Sequence, residues 1–276
     1  MSVVLLTGAT GFVGRQTLEC LAGDGIKTRV ILRNPAPSWL SNVQGIEATI
    51  FSNDIFSETT LWWTKNLAGV DTVVHVAWYA QPGKYLQSEL NVDCLAGTLR
   101  LAQGCVDAGI RRFIGIGTCF EYDLRGSTPV GVTTPLQPLS LYAACKAAAF
   151  LTLSQIFAAR QIEFAWCRLF YLHGQGEHTE RLVPYLHQKM QCGQVAELSS
   201  GNQVRDFLDV KDAGRLIAEI TKSKLQGAQN ICSGIPITVR QLAESIADQY
   251  QRRDLLRFGI RPDNLVDPAY VVGIKE

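Results

Sequence analysis

The chain has 276 residues, 47% hydrophobic and 18% charged, the balance of an ordinary soluble globular protein with room for a sizeable core. Its 26 Lys and Arg against 25 Asp and Glu leave a net charge of +1, which excludes the basic footprint of a nucleic-acid partner or a polybasic membrane patch. Apolar runs are strand-sized, so no membrane segment is expected. Residues 2–7 are too short an apolar stretch for a signal peptide, which points to the cytoplasm. The eight cysteines form no CxxC pair and the four histidines share no ligand spacing with them, so reduced thiols and no metal site are expected.

Strand-like runs alternate with helical patterns, which predicts an α/β fold with a parallel sheet and crossover helices. Residues 3–6 read as a strand, 12–21 as a helix, and 29–32 and 46–51 as strands. Residues 71–76 are nearly all apolar, as in a strand buried on both faces. A long helix is expected at 86–107, a strand at 112–117, an alanine-rich helix at 141–159 and a strand at 163–169. Beyond about residue 170 glycines and prolines punctuate shorter elements, with helices expected at 210–222 and 239–251. The reading is therefore a first domain over 1–170 and a smaller second lobe over 171–276, partly interleaved with it. Residues 271–276 show no terminal element, which fits either a frayed end or a missing C-terminal tail.

Thr7-Gly8-Ala9-Thr10-Gly11-Phe12-Val13-Gly14 falls between a predicted strand and a predicted helix. In that setting Gly8 permits the tight turn, Gly11 lets a pyrophosphate approach the backbone, and Gly14 lets the helix pack on the strand. The phosphates of a dinucleotide would lie at the helix N-terminus, among free amide hydrogens. At the end of the second strand, NAD needs a carboxylate for its ribose hydroxyls, but the chain places Arg33 there. An arginine suits a 2′-phosphate, so NADP(H) is favoured, with NAD(H) as the alternative. Arg15 offers a second positive charge or a solvated helix face. Asp54 offers an acceptor for the adenine amino group or a cap for the helix after it.

Tyr142 and Lys146 are four residues apart on a predicted helix and so share one face. An adjacent ammonium and a nicotinamide ring would lower the phenol from its ordinary pKa near ~10 towards working pH, fitting it for proton transfer. The alternative is an aromatic packed beside a surface lysine. Thr118, at the end of the strand before this helix, is placed to orient a substrate oxygen.

With these residues in place, the chain resembles the extended short-chain dehydrogenase/reductases, in their nucleotide-sugar epimerase and dehydratase branch. The likeness runs through the glycine motif, the segment 71–77, Asn91 with Gly97-Thr98, Gly117-Thr118-Cys119-Phe120-Glu121-Tyr122, Tyr142-x-x-x-Lys146, Arg168 through Gly176, and 205–212. The resemblance implies a Rossmann-type doubly wound parallel sheet with a smaller α/β lobe for a nucleotide-diphosphate sugar. It implies Thr118, Tyr142 and Lys146 as the reactive set. It also implies cofactor contacts from Thr10, Phe12, Val13, Ile55 and Ala77. Cys119, Phe120 and His173 become candidate substrate-side residues, against a simply buried cysteine at 119 and a loop histidine with a local hydrogen bond at 173, and Arg205 the ligand of the diphosphate, against a local salt bridge to Asp206 or Asp209. Cys119 and Phe120 replace the Asp-Glu pair with which dehydratases of this family perform elimination, which argues against that reaction.

An epimerase returns the hydride it takes and mostly retains NAD, whereas a net reductase exchanges NADPH, so Arg33 favours a reductase. The segment 117–122 is similar to that of nucleotide-activated 4-keto-6-deoxyhexose reductases. A 4-epimerase, a reductase of flavonol-like substrates, and a redox-sensing binding protein are the alternatives. In this family the helices at 86–107 and 141–159 pair across a dimer, and Ala143, Ala144, Ala147, Ala148 and Ala149 suit close approach, against an alanine-rich core helix in a monomer. A homodimer is therefore expected.

Overall fold

The computed structural model describes residues 3–33, 36–264 and 267–275. The chain runs β1 (Val3–Thr7), α1 (Phe12–Gly23), β2 (Lys27–Leu32), β3 (Ile46–Phe51), α2 (Thr60–Asn66), β4 (Thr72–His75), α3 (Leu90–Ala108), β5 (Arg112–Thr118), α4 (Leu141–Ala159), β6 (Glu163–Leu169) and β7 (Tyr171–His173). It continues through α5 (Leu182–Gln191), β8 (Ala196–Glu197), β9 (Val204–Asp209), α6 (Val210–Lys222), β10 (Gly227–Ile231), β11 (Pro236–Thr238), α7 (Val239–Gln249), β12 (Leu256–Arg257) and β13 (Tyr270–Val271). Seven parallel strands form the main sheet in the order β3-β2-β1-β4-β5-β6-β10, a Rossmann-type doubly wound arrangement.

Alternation along the strands supplies both faces of that sheet. Val4 and Leu6 of β1 join Val30, Ile114 and Ile116 under α1 and α6. Val3 and Leu5 point the other way, with Val73, Phe113 and Phe164, under α2, α3 and α4. α6 and β10, from beyond residue 170, thus complete the large layer: β10 pairs in parallel with β6 and α6 packs on α1. The smaller lobe is built on α5 and α7 over Leu186, Met190, Leu242 and Ile246, beside short strands β7, β9, β11 and β13.

Three expectations are corrected. The helix expected over 86–107 is broken: a 3-10 turn spans Tyr85–Gln87 and α3 begins at Leu90. Asn91 Nδ2 donates to the carbonyls of Tyr85 (2.6 Å) and Ser88 (2.8 Å), acceptors a continuous helix would need for its own ladder. The C-terminal segment does carry an element, since β13 pairs with β9 and Gly273 bridges to Val130. Finally, α4 has 19 residues and is apolar enough to cross a membrane by length and composition alone. Its buried side instead packs Leu153 and Phe157 against Phe113 and Phe164, and it holds Lys146 in the interior.

Candidate active site

The carboxyl ends of the parallel strands converge where the strand order reverses between β1 and β4, the usual place for a ligand in an open α/β sheet. Gly8 leaves β1 with φ +71°, and Gly11 N–H closes the turn onto Gly8 O at 2.9 Å. Gly14 packs so tightly on this turn that a Cβ there would collide with Gly8 O. α1 starts at Phe12 with no side-chain cap, which leaves the amides around Phe12 and Val13 for an anionic ligand. Thr10 is exposed at the tip of the turn. Ala77 follows β4 and forms the opposite wall, its N–H bonded to Thr7 Oγ1 at 3.2 Å.

That wall hangs on His75. Its ring bonds Thr7 Oγ1 and Thr98 Oγ1, both at 2.9 Å, and is almost fully buried. Thr98 Oγ1 donates to Cys94 O at 2.8 Å, so it accepts from His75 Nε2–H, and Nδ1 is left to accept from Thr7. Burial, helped by the nearby Lys146 charge, holds the imidazole neutral with its pKa lowered to about 3.

Arg33 is exposed beyond the end of β2 and makes no ion pair among the described residues. Asp54 is exposed beyond β3, where its Oδ1 accepts from Phe56 N at 3.0 Å. It closes a local turn and caps no helix, because α2 starts only at Thr60 and takes its cap from Thr59. Ile55 is buried beneath it in the core. Arg15 pairs with Glu19 at 2.9 Å and stacks 4.5 Å over the Trp39 ring. These groups fit a dinucleotide: a turn with no spare volume, unclaimed amides at a helix start, and a free arginine where the ribose would end.

Thr118 closes β5 and caps the 3-10 turn Cys119–Glu121, with Oγ1 accepting from Phe120 N at 3.3 Å. Ser140 caps α4 by accepting from Ala143 N at 3.2 Å, which sets Tyr142 and Lys146 in the first turns of that helix. The structure thus brings Thr118, Tyr142 and Lys146 together, with the Thr118 side chain facing the Tyr142 phenol. Burial and the neighbouring Tyr85 and Glu121 push Tyr142 well above its ordinary value. Lys146 Nζ is directed to Ile116 O at 2.6 Å, with the Trp78 ring 3.8 Å away. Desolvation lowers the Lys146 pKa to about 7, against an upward pull from Glu121. The result is a neutral phenol beside a lysine that is poised to titrate.

The remaining candidates surround this set unequally. Cys119 is buried and its thiol is pushed up by desolvation, so it is a packed thiol facing Thr118. Phe120 stacks edge-on against Tyr171 at 6.0 Å. Arg205 is buried, but its ion pair is with Asp267 at 2.6 Å, and the guanidinium lies 5.1 Å from the Tyr171 ring. Neither neighbouring carboxylate takes it: Asp206 accepts from the amides of Ser233, Gly234 and Gly273, and Asp209 caps α6. His173 ends β7 in register with Asp209 of β9, and burial lowers its pKa. Sequence reasoning gave no role to Trp78, to Tyr85 (4.8 Å edge-on to Tyr142), or to Tyr171, whose buried hydroxyl has no hydrogen-bond partner among the described residues. Trp78 comes from the irregular segment after β4 and Tyr85 from the short 3-10 turn before α3, neither of which leaves a periodic signal.

A family model described as "NAD dependent epimerase/dehydratase family" matches residues 4–232. The dTDP-6-deoxy-L-talose 4-dehydrogenase (NAD(+)) of Aggregatibacter actinomycetemcomitans is 25% identical over 276 residues, covering 99% of both chains. A UDP-glucose 4-epimerase of Erwinia amylovora is 25% identical, covering 88% of this chain and 81% of the relative. Among solved structures, the Streptomyces venezuelae dTDP-glucose 4,6-dehydratase DesIV with NAD and TYD bound superposes with a TM-score of 0.82 at 24% identity, over 99% of this chain and 88% of that one. The UDP-N-acetylglucosamine 4-epimerase of Methanobrevibacter ruminantium M1 gives 0.86 at 21% identity, over 99% and 89%. At these identities the superpositions speak for the fold.

Proposed function

Because the chain belongs to the NAD dependent epimerase/dehydratase family, we propose that it uses NADPH to reduce the 4-keto group of a nucleotide-activated 4-keto-6-deoxyhexose. It is an enzyme of the oxidoreductase and epimerase kind. The observation that carries the finer reading is Arg33, exposed and unpaired among the described residues at the point where NAD would need a carboxylate. The Aggregatibacter relative supports the sugar class, since its name describes a 4-dehydrogenase of a dTDP-6-deoxyhexose. Reduction is the same interconversion run towards the alcohol, and a cytoplasmic NADPH pool drives it that way.

When bound, the nicotinamide supplies hydride chemistry at carbon 4. Thr118 Oγ1 donates a hydrogen bond to the carbonyl oxygen and fixes its direction. Tyr142, kept as the neutral phenol, donates its proton to that oxygen as negative charge develops, which completes the alcohol. Lys146 in its charged form stabilises the resulting phenolate and holds the nicotinamide ribose. Arg205 is assigned to the substrate diphosphate, with Asp267 giving way to the stronger anion.

The test is turnover of a panel of dTDP-, CDP- and GDP-4-keto-6-deoxyhexoses with NADPH. Tyr142→Phe should lower kcat by about 10²- to 10⁴-fold with nucleotide binding unchanged. Unaltered kcat in Tyr142→Phe would remove the tyrosine from the chemistry. A second reading, a 4-epimerase retaining NAD, is supported by the likeness to the Erwinia epimerase and predicts NAD carried through purification. A homodimer through α3 and α4 accompanies either reading. α4 exposes Leu151 and Ala144, α3 exposes Leu90 and Val92, and apolar residues so placed call for a partner surface.

A further inference from the structure

Glu121 ends the 3-10 turn behind Thr118, and its side chain is completely buried. Four contacts converge on its two oxygens. Oε1 accepts the Thr118 backbone N–H at 2.8 Å and Trp166 Nε1 at 3.0 Å. Oε2 lies 3.2 Å from the same indole nitrogen and accepts from Arg168 Nε at 2.8 Å. β5 makes room for this through Gly117, where a Cβ would collide with both Trp166 Nε1 and Glu121 Oε1. Arg168 also donates to Tyr122 OH at 3.0 Å, and Tyr122 donates to Asn230 Oδ1 at 2.7 Å, so the network reaches β10. A buried ion pair is weak evidence for stability, because desolvation of both charges offsets their attraction. Its placement here, directly under the reactive residues, calls for another explanation.

We propose that Glu121 is a positioning residue of the reaction centre: it fixes Thr118 through its backbone amide and acts through its charge on Tyr142 and Lys146. The proposal rests on the reactive roles assigned above. The Trp166 ring, bonded to Glu121 at one edge, lies 5.8 Å from Lys146 Nζ. The other groups facing the pair are Tyr85, Thr118 and Cys119 around Tyr142, and Cys94, His75 and Trp78 around Lys146. None of these is charged at neutral pH: burial raises Tyr85, Cys119 and Cys94 and lowers His75. Glu121 is therefore the one carboxylate among the described groups facing both. It favours the ammonium of Lys146 and disfavours the phenolate of Tyr142, which keeps the proton donor loaded.

The experiment follows the Lys146 titration by nitrogen NMR on protein labelled at lysine Nζ, with the resonance assigned through Lys146→Arg. In the wild type the midpoint should lie near the value of about 7 that burial gives it. Glu121→Gln should move it down by about one pH unit, a tenfold loss of proton affinity. Because that variant leaves Arg168 buried without its counter-charge, its fold is checked by circular dichroism and Glu121→Gln/Arg168→Met is measured beside it; removing the opposing cation as well should give a smaller downward shift than Glu121→Gln alone. A midpoint that stays in place or rises in folded Glu121→Gln overturns the proposal. The titration needs no substrate. A shifted midpoint in an enzyme that reduces no keto sugar would leave Glu121 in its role and refute the proposed reaction; turnover with an unmoved midpoint would do the reverse.

Discussion

At the residue scale, the site depends on buried polar groups whose charge is decided by surroundings. His75 shows how this reaches stability. Its pKa falls from 6.5 in the unfolded chain to about 3 in the fold. The unfolded chain therefore binds more protons between those values, and stability rises with pH across that window. His75 thus contributes full stability above about 6.5 and loses it progressively as pH falls towards 3. The thermal midpoint should drop between pH 7 and pH 4.5, and His75→Gln should flatten that drop. Equal slopes in the two proteins would show that His75 is not the group responsible. Thr118, Tyr142 and Lys146 were legible in the chain because their order and spacing repeat a known pattern. Glu121 stood inside a quoted motif yet carried no visible role, since its partners Trp166 and Arg168 lie 45 and 47 residues further on.

At the scale of elements, long apolar segments were readable and short polar ones were not. β3, β6 and α6 fall where the sequence pattern puts them, because burial leaves a periodic or continuous apolar record, and α4 does so as one long alanine-rich apolar run. β10, with the sequence GAQNI, is an edge strand buried fully only at Ile231, so no alternation marks it. α5 carries Pro184 at its third residue, which reads as a break. Amides in the first turn have no helical partner, so a proline is tolerated there. α4 is the most demanding element, because it carries two reactive residues on a helix that is apolar nearly all round. Leu153 is fully buried on its inner side. Leu153→Ala should cost about 2–5 kcal/mol in denaturant unfolding, from lost transfer energy and the cavity left behind. A cost under about 0.5 kcal/mol would mean that α4 is not packed on Phe113 and Phe164 as described.

At the scale of the molecule, the parallel sheet supplies a rigid edge from which four strand ends present the glycine turn, Arg33, Ala77 and Thr118 towards one crevice. The smaller lobe brings Arg205 and Tyr171 to the other side through β9 and β7. The outer side of α4 is where the proposed homodimer would pair. Leu151 is 55% exposed, and a charge placed there should be harmless in a monomer and disruptive in a dimer. Sedimentation of the wild type should give a dimer, and Leu151→Asp a monomer that stays folded. A wild-type monomer at micromolar concentration would rule out the interface.

The central claim is that Arg33 commits this crevice to NADPH. Fluorescence titration of the purified protein with NADPH and with NADH tests it most directly. NADPH should bind tighter by at least tenfold, about 1.4 kcal/mol, and Arg33→Asp should erase or invert that preference. Equal or tighter binding of NADH, or NAD retained through purification, would contradict the account and make the epimerase the better reading.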